Sequence, residues 1–444
     1  MYYKLSDLTI DGKGSYGIAA SAVEYDPNKY TYLRITDIND DGTINFDGLK
    51  SVDDENAGKY LLKENDIVFA RTGASTGRTY FYQKKDGDFV FAGFLIKYSL
   101  DPNKVNPRFL KYYTHSKTYY DWVHSFDSGA TRGNINAKTF GDMLVDLPER
   151  YVQDKIVSIL SDLDDKIAVN KKICENLEAQ AQALFKHWFV DFAPFKDGNF
   201  CANREQNETC FNSAEVQPKI TGKACKFVES ELGLIPERWR VERLGEMPIT
   251  VTDYVANGSF ASLKENVKLY EEVNYAYFIR NTDLKSQNFS VFVDEHSYKF
   301  LSKSKLEGGE IIISNVGDVG SVHLCPYLDK PMTLGNNIIM VKPYNDFYRN
   351  FLYILFRWNY GQKLIQSIKG GSAQPKFNKT DFKSLKIIVP EESVLKKFDE
   401  IVSPMFNYVG KNNQESSRLA TLRDTLLPKL MSGQIKVNEI EKSL

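Results

Sequence analysis

The sequence predicts an α+β chain built twice from one plan: two similar α/β domains, each followed by a long helix, as a pseudo-twofold internal repeat. Three observations predict it. Between Tyr151 and Phe192, steps of four and three pick out Ile156, Leu160, Leu163, Ile167, Asn170, Cys174, Leu177, Ala181, Leu184 and Trp188, with charged residues between them. That is a coiled-coil seam rather than an ordinary amphipathic face. The seam returns 242 positions later as Phe398, Val402, Met405, Val409, Asn412, Ser416, Leu419, Arg423, Leu426 and Leu430. Asn170 lands on Asn412, and a polar seam residue fixes register or partner choice. Finally, a short strand running into a glycine loop occurs before each seam, as DIVFARTGASTGR at 66–78 and EIIISNVGDVGS at 310–321.

Taken in order, Tyr30–Ile35 reads as a strand and is followed by the turn-rich Asn39-Asp40-Asp41-Gly42. Asp66–Ala70 is a second strand and Phe89–Tyr98 a third. Arg108–Phe126 reads as one helix started by Asn106-Pro107. Residues 127–136 form a polar loop before Phe140–Leu147 closes toward Pro148. In the second half, Ala276–Asp283 matches Tyr32–Asp37, Phe351-Leu352 matches Phe109-Leu110, and Gly371, Asn378, Phe382 and Pro390 match Gly129, Asn136, Phe140 and Pro148. The offset drifts from about 246 to 242, as small insertions in the front half would produce. Between the copies, the polar stretch 193–231 reads as a linker. Pro404, early in the second helix, is expected to kink it or delay its start.

Composition bounds the chemistry. At 444 residues the chain has room for about three domains on the usual ~150 residues each. No apolar run approaches the ~18–20 residues of a membrane span, and the charged opening, Met1 to Asp11, does not resemble a signal peptide. Five unpatterned cysteines, without a CxxC pair, predict reduced thiols in a cytoplasm and no metal cluster. The net charge of −1 is unlike that of a uniformly basic nucleic-acid binder, so any basic faces must be balanced by acidic ones. Gly12-Lys13-Gly14-Ser15-Tyr16-Gly17 spells GxGxxG, but SDLTID before it is too polar for a buried parallel strand and Pro27 breaks the following segment. A glycine turn accounts for it better. The chain has no GxxxxGK[ST] loop, no histidine pair four apart, no Asn/Asp-Pro-Pro-Tyr run and no GxSxG elbow. The absence of a catalytic constellation favours recognition or scaffolding, with no catalytic residue and no metal in this chain.

The polar loops suit recognition. Arg71, Thr72, Ser75, Thr76 and Arg78 offer guanidinium and hydroxyl groups beside glycines, and Thr131, Arg132, Asn134 and Asn136 add a second loop. Arginine reads guanine edges, asparagine pairs with adenine, and hydroxyls suit phosphate. The counterparts are Asn315 and Ser321 in one loop and Lys369, Ser372, Gln374, Lys376 and Asn378 in the other. Any one such loop is as readily a plain hairpin. Two loops recurring at matched places with changed polar residues look like two readers of different sequences.

With these segments in place, the chain resembles the specificity subunit of type I restriction–modification systems over nearly its whole length. The resemblance rests on IVFARTGASTG and IIISNVGDVG, on the repeated Gly…Asn-then-Pro entry to a long helix, and on LFKHWFVDF (184–192), ELGLIPERW (231–239) and LLPKLMSG (426–433). It implies target recognition domains at 1–149 and 232–391, and spacer helices at 150–192 and 392–435 that pack antiparallel, with a linker at 193–231 and a tail at 436–444. Each domain would read one half of a split double-stranded DNA target. A helix of ~40 residues spans ~60 Å, more than the ~34–36 Å of one duplex turn, so an unread spacer between half-sites is sensible. The resemblance also implies two methyltransferase subunits that bind S-adenosylmethionine and methylate flipped adenine, and restriction subunits that use ATP and Mg²⁺, in a phage-defence complex. No cofactor and no membrane are expected for this chain itself. Two alternatives stay open: an assembly scaffold using only its coiled coil, and a lone DNA methyltransferase, which the missing motifs oppose.

Overall fold

The computed structural model describes residues 1–126, 133–196, 225–371 and 374–437. The chain divides into two compact units, Met1–Ala168 with Arg418–Leu444, and Val169–Ser417. Each unit therefore holds one α/β domain together with parts of both long helices.

In the first unit a four-stranded antiparallel sheet runs in the order Ser15–Tyr16, Leu95–Ser99, Asp66–Ala70, Thr79–Phe81. All five residues of Asp66–Ala70 are buried, the apolar run Ile67–Ala70 as core and Asp66 accepting from the Ser99 hydroxyl at 2.6 Å. A second four-stranded sheet contains Ala22–Val23, Lys50–Val52, Tyr30–Leu33 and Phe89–Phe91, the last two parallel. The expected strand Phe89–Tyr98 is thus two strands in two sheets, parted at Gly93 and Phe94. The expected helix Arg108–Phe126 is also two, Pro107–Tyr113 and Lys117–His124. Ser116 divides them because its hydroxyl accepts from the Tyr119 amide, a cap that starts a new helix. Phe69, Tyr98, Tyr119 and Phe140 centre the core, and Ile156, Leu160, Leu427 and Leu430 of the long helices close it.

The second unit repeats the plan. Its four-stranded antiparallel sheet runs Ile249–Asp253, Ile338–Pro343, Ile311–Ser314, Val322–Leu324. A five-stranded sheet again contains one parallel pair, Ala276–Ile279 with Met332–Leu334. The repeat reaches side chains: Arg34 clasps Asp37 at 2.6 Å, and Arg280 clasps Asp283 at 2.6 Å, each across the turn after a matched strand. The core gathers Phe185, Trp188, Phe189, Trp239, Phe351 and Phe398.

The first long helix is Arg150–Phe185, continued by a wider turn at Lys186–Val190, and the second is Glu392–Met431. Their segments pack antiparallel within each unit. In the first, Asp164 meets Arg423 at 3.0 Å; in the second, Asn170 meets Glu415 at 2.7 Å and the Trp188 and Phe398 rings lie 5.7 Å apart. None of the twenty seam positions named above is exposed. Ile156, Leu160, Asn170, Phe398, Val402, Val409 and Asn412 are buried, while Leu163, Ile167, Leu177, Leu184, Met405, Leu419 and Leu426 are half-buried. Arg423, which looks out of place in an apolar seam, is accounted for by Asp164 opposite it.

Three expectations need correcting. Pro404 does not delay the second helix, which starts upstream at Glu392; the proline sits inside it, leaving the Glu400 carbonyl without an intrahelical donor. The end of the expected linker is a hairpin, Phe227–Ser230 with Gly233–Pro236, turned by Gly233 at φ +102°, while residues 197–224 lie outside the described ones. Cys174 and Cys325 are free, but Cys225 is disulfide-bonded. Among the described residues no helix is long and apolar enough to cross a membrane.

Candidate nucleic-acid interface

In the first unit the strand Asp66–Ala70 delivers the backbone of Arg71 between two neighbours. The Arg71 amide donates to Phe94 O at 3.1 Å, and the Ile135 amide donates to Arg71 O at 3.0 Å. The guanidinium lies 5.0 Å from the centre of the Tyr16 ring and donates from Nε to Asn134 Oδ1 at 3.3 Å. Tyr16 is itself fixed, its hydroxyl accepting from the Ala137 amide at 3.0 Å. Arg71, Asn134 and Tyr16 thus form one group, and among the described residues Arg71 has no carboxylate partner. Nearby, Gly12, Lys13, Gly14 and Lys138 line a cleft of about 320 Å³, so the glycine turn borders this surface.

The other expected contacts divide into those still available and those already engaged. Arg78 donates to Asp40 at 2.6 Å and to Ile38 O at 3.0 Å, so it braces a turn. Ser75 is buried, and Thr76 is tied to Gly73 O and Gly133 O; Thr72 is half-buried. Asn136 caps a helix by accepting from the Thr139 amide at 2.9 Å. Thr131 and Arg132 lie outside the described residues.

The second unit repeats this backbone with other side chains. The Asn315 amide donates to Asn337 O at 3.1 Å, and the Phe377 amide donates to Asn315 O at 3.0 Å, so Asn315 stands where Arg71 does. By strand pairing Asp253 takes the place of Tyr16: one lies opposite Ile339, the other opposite Ile96. Lys379, next after the capping Asn378 as Ala137 follows Asn136, approaches Asp253 at 3.1 Å. Asn315 Nδ2 donates to Phe377 O at 3.2 Å, while its buried Oδ1 has no partner among the described residues. Asn378 is engaged as a cap, accepting from the Asp381 amide at 2.8 Å. Lys369, Gln374 and Lys376 are exposed, and Ser372 lies outside the described residues.

Ser321 belongs to a different corner. Its hydroxyl and His323 Nε2 are 2.8 Å apart, and Ser321 lines a cavity of about 340 Å³ together with Lys285, Arg357 and Gln362. Burial, with the charges of Arg357 and Lys285, pushes the His323 pKa down to about 4, so the ring is neutral at pH 7. Asp318, the acidic residue of this glycine loop, is neutralised by Lys285 at 2.7 Å, which lowers its pKa. The two domains therefore present one scaffold with a cation on an aromatic ring in one and with amides beside an ion pair in the other. Such a surface can bind a polar, edge-patterned ligand.

A family model described as the type I restriction modification DNA specificity domain matches residues 1–179 and again 236–420. The chain belongs to this family of type I DNA specificity proteins. Its two matches fall on the two repeats. Similar relatives include the type I restriction enzyme HindI specificity subunit of Haemophilus influenzae, 26% identical over 418 residues and covering 85% of this chain and 88% of that protein. The MjaIX specificity subunit of Methanocaldococcus jannaschii is 26% identical over 347 residues, 76% of this chain and 71% of that protein. In fold, the chain is similar to a type I restriction–modification S subunit from M. genitalium, with a TM-score of 0.53 at 17% identity, covering 97% of this chain and 95% of that one. Within this specificity fold, sequence reasoning passed over Tyr16, Phe94, Asp253, Asn337 and Lys379. For Tyr16 alone there was a signal, its place in the glycine-rich GKGSYG segment.

Proposed function

We propose that this chain is the DNA-reading subunit of a type I restriction–modification complex and that each domain reads one half of a bipartite duplex target. The observation that carries this reading is the repeated backbone frame around Arg71 and Asn315, which holds chemically different side chains at equivalent points. A scaffold with no reading task has no need to keep that frame and vary its contents. The first long helix, 36 residues, is about 54 Å at 1.5 Å per residue, long enough to leave unread base pairs between half-sites.

In this reading the chemistry belongs to others. Two methyltransferase subunits bring S-adenosylmethionine and modify adenine, and restriction subunits bring ATP and Mg²⁺. The test is to express the chain with a methyltransferase subunit, sequence the host genome for methylated adenine, and titrate the complex with duplexes carrying the motif found. A split motif, bound more tightly than a scrambled duplex, is expected. Binding that ignores sequence, with or without the partner, would leave only assembly for the chain to do.

A further inference from the structure

We propose that Phe94 is a specificity-determining contact for the first half-site, setting its ring against a thymine methyl at a base edge beside Arg71, and that Asn337 holds the equivalent place in the second domain. This rests on the reading above that the chain recognises DNA. Phe94 occupies the break between two strands that belong to different sheets, and it is 60% exposed. Among the described residues its ring packs against no other aromatic ring. Its backbone, by contrast, is held: Phe94 O accepts from Arg71, and the Leu95 amide donates to Ala92 O at 2.8 Å. A large apolar ring on a fixed backbone, tied through its carbonyl to Arg71, whose guanidinium has no carboxylate partner among the described residues, suits a thymine methyl on a base edge, while the arginine offers polar edge contacts.

The second domain supplies the independent comparison. Asn337 O receives the Asn315 amide at the same 3.1 Å, but the Asn337 backbone is left-handed, at φ +63°. Asparagine tolerates that conformation, which strains a bulky aromatic residue. The exposed amide can pair with an adenine edge where Phe94 makes only apolar contact. The two half-sites are thus read by different physics at one structural position.

The experiment uses the full chain co-expressed with its methyltransferase subunits, reading both the methylated motif and duplex affinity. Phe94→Ala is expected to weaken binding roughly tenfold and to relax bases in one half of the motif only. Phe94→Tyr should retain both, and Asn337→Ala should alter only the other half. An unchanged melting temperature for Phe94→Ala shows that the exposed ring is not a folding element. The proposal is overturned if Phe94→Ala leaves motif and affinity within twofold of wild type, or if it degrades both halves together. A wild-type complex that selects no sequence at all would instead overturn the reading on which the proposal stands.

Discussion

The two domains meet their own long helices at matched positions but by opposite means. In the first, Asp164 of the first helix receives Lys111 at 2.6 Å, the Tyr112 hydroxyl at 2.9 Å and Arg423 at 3.0 Å. The repeat offset of 242 places Tyr353 opposite Lys111, Phe406 opposite Asp164 and Ala181 opposite Arg423. There the matched positions form an aromatic pair: Tyr353 and Phe406 meet edge to face at 5.4 Å, and Ala181 is buried. Polar contacts adjoin this pair in the second domain: Arg357 donates to the Tyr353 hydroxyl and meets Glu178 at 2.9 Å, and Asn350 donates to Asp399 at 2.6 Å. Duplication has kept the geometry of the junction and left its chemistry free. What the fold needs there is a filled, satisfied contact, and either an ion cluster or an aromatic pair provides one.

If the halves differ this freely in their junctions, they should also read independently, and that expectation carries the largest effect. Exchanging residues 1–149 for the corresponding segment of another specificity subunit should replace the first half of the methylated motif and keep the second; a motif changed in both halves would mean that the domains do not read separately. A smaller change makes the same point. Arg71→Ala should cost roughly 1–3 kcal/mol at one half-site, and Asn315→Ala should affect the other. Competition binding with duplexes altered in one half at a time checks both, and the comparison breaks if the two variants weaken the same half.

The junctions predict a difference in acid. Burial alone raises the Asp164 pKa, but Lys111, Arg423 and Tyr112 outweigh it and hold the carboxyl below its ordinary value. A lowered folded pKa stabilises above the unfolded value of ~3.9, and that stability is lost as pH falls through the folded value. In the second domain burial raises the pKa of Asp399, which accepts from Asn350 at 2.6 Å. Its contribution has the opposite sign, present at low pH and lost as pH rises through the raised value. Hydrogen exchange on acidification below about pH 4 should therefore loosen the amides near Tyr112 before those near Tyr353. At neutral pH, Asp164→Ala should cost about 2 kcal/mol, as charged hydrogen bonds are lost. The triple change Lys111→Tyr, Asp164→Phe and Arg423→Ala should recover most of that loss, since a packed apolar replacement of an ion cluster is often neutral or stabilising.

The same contrast shows what could be read from the sequence. The seams were legible because a heptad keeps its phase over many turns and repeats at +242, so each position was marked twice. The glycine loops were legible because left-handed turns need glycine, as Gly73 at φ +72° and Gly317 at φ +78° demonstrate. Their occupants were harder to judge. Arg78 looked like a DNA contact, but its partner Asp40 is distant in sequence. Asn136 and Asn378 carried a local signal of their own, the cap before a short helix, which explains them without a ligand. Phe94 gave no signal, because an aromatic residue among strand residues reads as core until the pairing of both sheets is known.

The smallest effect concerns the one polar feature that both seams share. Asn170 and Asn412 sit at matched seam positions, both buried. Asn170 donates to Glu415 at 2.7 Å while its Oδ1 has no partner, and Asn412 Nδ2 likewise has none among the described residues. An unsatisfied buried amide costs more than the same space filled by an apolar group, so Asn412→Leu should raise stability by about 1 kcal/mol. Asn170→Leu should gain less, because it gives up a hydrogen bond while Glu415 remains exposed to water. Thermal unfolding of the two variants side by side decides the matter. If Asn412→Leu proves the more damaging, the asparagines are not interchangeable register markers, and the second helix depends on its own polar residue for more than alignment.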